Sequence, residues 1–206
     1  MIEKICEILT IKIQKEMPEV DDKRAEVINY GLQLIIGEIP KILLIFAISY
    51  ILGVFKLTLL SFILIMPYRA VSGGTHMNSH IGCIIATSVF YIGNAFISKF
   101  LILEANTKYI VVLAIWIFSM WMIKLYAPAD TKSVPILRKK ERKIKQLLSY
   151  IFMTVSLTLG LIIKNNIISN LLIVGALLQT ITITKFMYKL TKNQYGYLEY
   201  VKQNMA

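Results

Sequence analysis

Residues Tyr109 to Lys145 read YIVVLAIWIFSMWMIKLYAPADTKSVPILRKKERKIK. As far as Tyr126 the run is apolar, interrupted mainly by Ser119 and Lys124. Beyond Ala127-Pro128-Ala129 it becomes cationic, with Lys132, Arg138, Lys139, Lys140, Arg142, Lys143 and Lys145. A bilayer crossing needs ~20 apolar residues, and basic residues collect on the cytoplasmic flank. This stretch therefore predicts a membrane helix that ends inside the cell and leads into a cytoplasmic basic loop.

The same pattern extends in both directions. Apolar segments are predicted at roughly 30–53 (interrupted by Glu38 and Pro40), 57–66, 80–97, 109–126, 147–163 and 167–186. Residues 57–66, LTLLSFILIM, are too few to span alone and suggest a bent or re-entrant element buried by neighbours. Lys164-Asn165-Asn166 makes a tight polar turn between the last two segments. The chain is 56% hydrophobic and 17% charged, against about 25% charged in an ordinary soluble domain. The predicted fold class is all-α, a polytopic integral membrane protein of about six transmembrane helices with an N-terminal amphipathic helix.

Charge placement orients it. With six spans and both ends inside, 18 of the 23 lysines and arginines fall on the inner side and 4 outside, with Lys41 inside a span. A five-span reading moves one terminus but leaves 67–79 and 127–146 on the same, cytoplasmic side, because two clear spans separate them. The net charge of +11 is thus a topology signal and not a nucleic-acid footprint. The opening MIEKICEILTIKIQKE has no unbroken apolar core, so a cleavable signal peptide is not expected. Its helical spacing predicts an amphipathic helix, on the inner membrane surface or packed on the fold, followed by a polar turn at 18–24. Three regions follow: 1–24, the amphipathic helix and turn; 25–186, the transmembrane body; 187–206, a cytoplasmic tail.

Two cysteines, Cys6 and Cys83, make no disulfide framework. Reactive side chains gather instead in one cytoplasmic passage, RAVSGGTHMNSHIGC, residues 69–83. A thiolate is a strong nucleophile and a neighbouring imidazole can serve as its base. In a continuous helix His80 lies one turn from Cys83, whereas His76 is ~10 Å away along the axis. His76 could act only if the chain folds back, which Gly73-Gly74 permits. His76, His80 and Cys83 are also possible metal ligands. Arg69 could bind a carboxylate or anchor at the interface.

The arrangement Arg69-x-x-x-Gly73-Gly74-x-His76-x6-Cys83 resembles the accessory gene regulator B (AgrB) family of Gram-positive bacteria. So does the downstream Tyr126-Ala-Pro-Ala-Asp-Thr-Lys132, followed by Pro135-Ile136 and the basic run. The resemblance implies a cysteine endopeptidase of the bacterial cell membrane, active on its cytoplasmic side. It would remove the C-terminal segment of an AgrD-type propeptide and promote thiolactone or lactone closure of an autoinducing quorum-sensing peptide. It implies Cys83 as nucleophile and His76, not His80, as general base, with no metal or cofactor. Arg69, Gly73, Gly74, Asp130 and Lys132 would be substrate-binding or structural, and a homodimer is expected. The cationic run Arg138–Lys143 could steer an acidic propeptide tail or serve topology alone. A rival reading is a small peptide exporter without covalent chemistry, with Glu38 and Lys41 as its intramembrane charges.

Overall fold

The computed structural model describes residues 2–17, 19–77, 79–131 and 135–205, without the side chains of Ile2, Glu3, Leu34, His80, Ala105, Asn204 and Met205. Lys132 lies outside the described residues. The described residues form helices joined by short connections: α1 (Ile2–Glu16), α2 (Asp22–Ile51), α3 (Phe55–Ser72), α4 (His80–Phe100), α5 (Ala105–Tyr126), α6 (Lys139–Ile162), α7 (Asn166–Thr182), α8 (Lys185–Leu190) and α9 (Gly196–Met205). Among these residues there is no strand, and an isolated bridge joins Gly73 to Ala129. α2 to α6 are each long and apolar enough to cross a membrane, as in a multi-pass membrane protein.

The chain divides into two compact units, Met1–Ile51 and Leu52–Ala206. In the first, α1 packs on α2. Cys6 and Thr10 are its buried face, and Thr10 Oγ1 donates to the Cys6 carbonyl at 2.8 Å. Ile5, Ile8 and Ile11 stay exposed. On α2, Lys41 Nζ and Glu38 Oε1 pair at 2.6 Å across one turn, so each charge has its counter-ion on the same helix.

The second unit departs from the hydropathy reading in three places. The ten-residue run 57–66 is the middle of α3, an 18-residue helix. Pro67 and Arg69 lower the local hydropathy without ending the helix, so no re-entrant element is needed. The basic residues Lys139–Lys145 are not loop: they form the opening turns of α6, where Glu141 and Lys145 pair at 2.9 Å. The last apolar run stops at Thr182, giving α7 only 17 residues, about 26 Å at 1.5 Å per residue.

α7 is short because it is central. It packs against α3, α4, α5 and α6, and most of its side chains are buried. Asn165 caps it, its Oδ1 accepting from the Ile167 and Ile168 amides at 3.0 and 3.1 Å. Lipid is as apolar as leucine, so burying leucine between membrane helices gains little; small and polar contacts decide their packing, at ~0.6 kcal/mol per hydrogen bond. α7 supplies those contacts. Thr180 Oγ1 lies 2.9 Å from both the Tyr68 hydroxyl of α3 and Ser119 Oγ of α5. Asn170 Nδ2 donates to the Leu101 carbonyl at 2.8 Å. From α4, Asn94 Nδ2 donates to Ser61 Oγ at 2.8 Å and to the Leu171 carbonyl at 3.2 Å.

Candidate active site

The site begins where α3 ends. Gly73 caps that helix at φ 72°, and Gly74 follows at φ 143°. Both values lie in the region that side-chain-bearing residues avoid. The pair turns the chain out of the helix and into an extended segment, 73–77. Because α4 starts only at His80, His76 sits outside any helix. The ~10 Å axial separation computed for a continuous helix therefore does not apply to it.

That segment is held on every side. The Ala129 amide donates to the Ser72 carbonyl at 2.8 Å, and the Gly74 amide to the Ala129 carbonyl at 2.9 Å. The Thr75 amide donates to the Thr182 carbonyl at 3.2 Å. Gln179 Nε2 donates to the Gly73 carbonyl at 2.8 Å. Arg69 Nη2 donates to the Thr75 carbonyl at 3.0 Å, and Asn193 Nδ2 donates to the His76 carbonyl. The two motifs of the sequence, Arg69–Cys83 and Tyr126–Lys132, thus meet at Ala129.

Arg69 is half-buried on the last turn of α3. Besides the Thr75 carbonyl, its Nη1 donates to Thr182 Oγ1 at 3.1 Å and to Gln179 Oε1 at 3.3 Å. No carboxylate among the described residues pairs with it, and its charge acts on Tyr91, Tyr188 and Cys83. Of the two roles the sequence leaves open, the observed contacts are those of a structural tie between α3, α7 and the His76 segment.

Cys83 is half-buried in the first turn of α4. Ser79 caps this helix, its Oγ accepting from the Gly82 amide at 3.0 Å, and its carbonyl accepts from the Cys83 amide at 2.9 Å. The thiol sits 4.0 Å from Thr87 Oγ1. His76 is exposed. His80 opens α4, one turn before Cys83; its side chain lies outside the described residues.

Asp130 is held inside the fold by the loop that follows α5 and by the C-terminal segment. Its carboxylate is fully buried, and Oδ2 accepts from the Ile136 amide at 2.8 Å, the Tyr197 amide at 3.0 Å and Arg142 Nη1 at 3.1 Å. The Tyr188 hydroxyl donates to its carbonyl at 3.0 Å. Burial pushes the Tyr188 phenol well above its ordinary range, which keeps it a donor. Sequence reasoning missed Gln179, Thr182 and Asn193. The first two leave a trace, as polar residues in an apolar helix; Asn193 leaves none.

The family model for Accessory gene regulator B matches residues 6–183. An AgrB-like protein of Clostridium acetobutylicum is 24% identical over 212 residues, covering 99% of this chain and 97% of that protein. An AgrB-like protein of Listeria monocytogenes is 25% identical, covering 94% and 91%. Accessory gene regulator protein B of Staphylococcus epidermidis is 28% identical, covering 78% and 80%. No solved structure matches the chain. The family match runs across nearly the whole length and takes in both motifs that the fold joins at Ala129, and the chain belongs to the accessory gene regulator B family.

Proposed function

We propose that this protein is a membrane-embedded cysteine endopeptidase of quorum sensing, which removes the C-terminal segment of an AgrD-type propeptide and closes the remaining peptide into a thiolactone or lactone. The observation that carries the reading is the tying of the His76 segment to the second motif at Ala129, directly before the helix whose first turn bears Cys83.

In this reading His76 takes the Cys83 thiol proton, and the sulfur attacks a propeptide carbonyl. The Cys83 Sγ–carbon bond forms, the peptide C–N bond breaks, and His76 returns the proton to the departing amine. The C-terminal fragment leaves. A thiol or hydroxyl within the bound peptide then attacks the thioester carbonyl. Its new bond to carbon forms as the Cys83 Sγ–carbon bond breaks, and its proton passes to the Cys83 sulfur. Exchange of one thioester for another retains the acyl energy in the ring. Water would waste that energy, and a half-buried thiol at the membrane surface limits its access.

The test uses the full chain in vesicles with the propeptide of a neighbouring reading frame. Acid quenching during turnover should give an enzyme mass raised by the N-terminal part of the propeptide, in an adduct that hydroxylamine releases. Absence of any hydroxylamine-sensitive adduct while both products accumulate would exclude the thioester route.

The cytoplasmic placement of the site rests on the charge asymmetry and has its own check. In intact cells, a cysteine introduced at Lys140 should resist a membrane-impermeant maleimide, and one at Lys164 should be labelled within minutes. Labelling in the opposite sense would invert the orientation.

A further inference from the structure

We infer that the C-terminal segment, beyond the family match that ends at residue 183, completes the active site, and that Asn193 is a positioning residue for His76; this rests on the dyad reading above. Asn193 Nδ2 donates to the His76 carbonyl, which ties this strip to the C-terminal segment. The other ties act at Gly73, Gly74 and Thr75. They fix the approach of the strip, while Asn193 holds the peptide unit of His76 itself. A carbonyl fixed this way sets the Cα position and so the reach of the imidazole.

The clamp is built to stay put. α8 ends in a Schellman turn: the Asn193 amide donates to the Tyr188 carbonyl at 2.8 Å and the Lys192 amide to the Lys189 carbonyl at 3.2 Å. Lys192 sits at φ 55° at the position where glycine is usual. The Asn193 side chain is further oriented by Thr191 Oγ1 at 2.8 Å. Just beyond it, Tyr195 stacks on Tyr188 at 3.9 Å and on Tyr126 at 5.7 Å between ring centroids, and its hydroxyl donates to the Ile183 carbonyl at 2.9 Å. The Tyr197 amide is bound to Asp130, and the Arg142 guanidinium lies over the Tyr197 ring at 4.3 Å. Asn193 is therefore anchored on both sides in sequence, and the anchors lead to the loop that holds Gly73. A surface tail without a role would not need the Tyr197 amide spent on Asp130 of the second motif.

The experiment reads Cys83 without a substrate. In a Cys6→Ala background, the full chain in phosphatidylglycerol-containing vesicles is alkylated with iodoacetamide at pH 7 and at pH 10. His76→Ala should slow alkylation at pH 7, because the base that ionises the thiol is gone. Asn193→Ala and the near-isosteric Asn193→Asp, which lacks the amide donor, should slow it in the same direction, by up to the ~10²-fold that a 1 Å misplacement of a catalytic group can cost. At pH 10, above the ~8.5 of a free thiol, all variants should converge with the parent. Convergence separates lost positioning from a collapsed site, which would change the rate at both pH values. Lys192→Gly, which keeps the turn and the donor, should alkylate like the parent. If His76→Ala slows the reaction and both Asn193 variants react like the parent, the positioning role is wrong and the dyad stands. If His76→Ala has no effect, the dyad reading fails and the role of Asn193 falls with it.

Discussion

Cys83→Ala is expected to abolish propeptide cleavage while the protein remains in the membrane at parental levels. Cys6, the other thiol, is fully buried in the Met1–Ile51 unit and offers no substitute nucleophile. The loss should be complete, since of the two hydroxyls on the 73–83 passage Thr75 is buried and Ser79 Oγ is engaged as the α4 cap, which leaves neither to replace the thiolate. His76→Ala should cost at least the ~10²-fold typical of a lost general base. His80→Ala should cost far less, and chelators should do nothing, which sets the dyad apart from a His76–His80–Cys83 metal site. The measurement is release of the C-terminal fragment and of ring peptide in reconstituted vesicles. A dead His80→Ala beside a working His76→Ala would make helical proximity the rule that names the base. Retained cleavage by Cys83→Ala would sink the cysteine mechanism.

Gly73→Ala should be nearly as severe, for a reason that has no chemistry in it. An added Cβ would overlap the Ala129 carbonyl oxygen and would stand 2.9 Å from its carbon and 3.2 Å from its nitrogen. All three atoms are backbone, so no rotamer change relieves the overlap. The conformation itself, φ 72° and ψ −149°, costs a residue with a side chain ~1–3 kcal/mol. Parting the strip from Ala129 forfeits the hydrogen bonds from the Ala129 amide to the Ser72 carbonyl and from the Gly74 amide to the Ala129 carbonyl, worth ~0.5–1.5 kcal/mol each. Together these predict a loss of about 3 kcal/mol and almost no cleavage activity. At Gly74 the atoms in the way are side-chain atoms, Thr182 Oγ1 at 2.7 Å and Arg69 Nη1 at 2.8 Å, so Gly74→Ala should disturb Arg69 with less loss of stability. Gly93→Ala, with nothing within 4 Å, is the control. Thermal unfolding in detergent and vesicle activity check all three; a Gly73→Ala protein that melts and cleaves like the parent would refute the junction.

Several features followed from residue order alone. Runs of apolar residues near the length of a bilayer crossing, with lysine and arginine on one flank, make membrane helices whatever surrounds them, because an unsatisfied backbone in lipid is so costly. Hydropathy also located the turn at Asn165, which caps α7 through its own side chain. The passage holding Cys83 and both histidines was legible too, because such residues are out of place between apolar runs.

Hydropathy misjudged elements whose surroundings differ from lipid. α3 continues through Pro67 and Arg69 because Arg69 finds acceptors on α7 and in the His76 strip. α7 can be short and carry polar side chains because four helices enclose it. The site depended on tertiary structure still more. Spacing measured along a helix favoured His80, and only the break at Gly73-Gly74 takes His76 out of that helix. The meeting of Gly73 with Ala129, 56 residues on, and of His76 with Asn193, 117 residues on, leaves no mark in the local pattern. These contacts pair backbone groups with backbone or with a single amide side chain. Every residue carries such groups, so sequence can name the nucleophile and a candidate base, while the bundle alone decides what holds them.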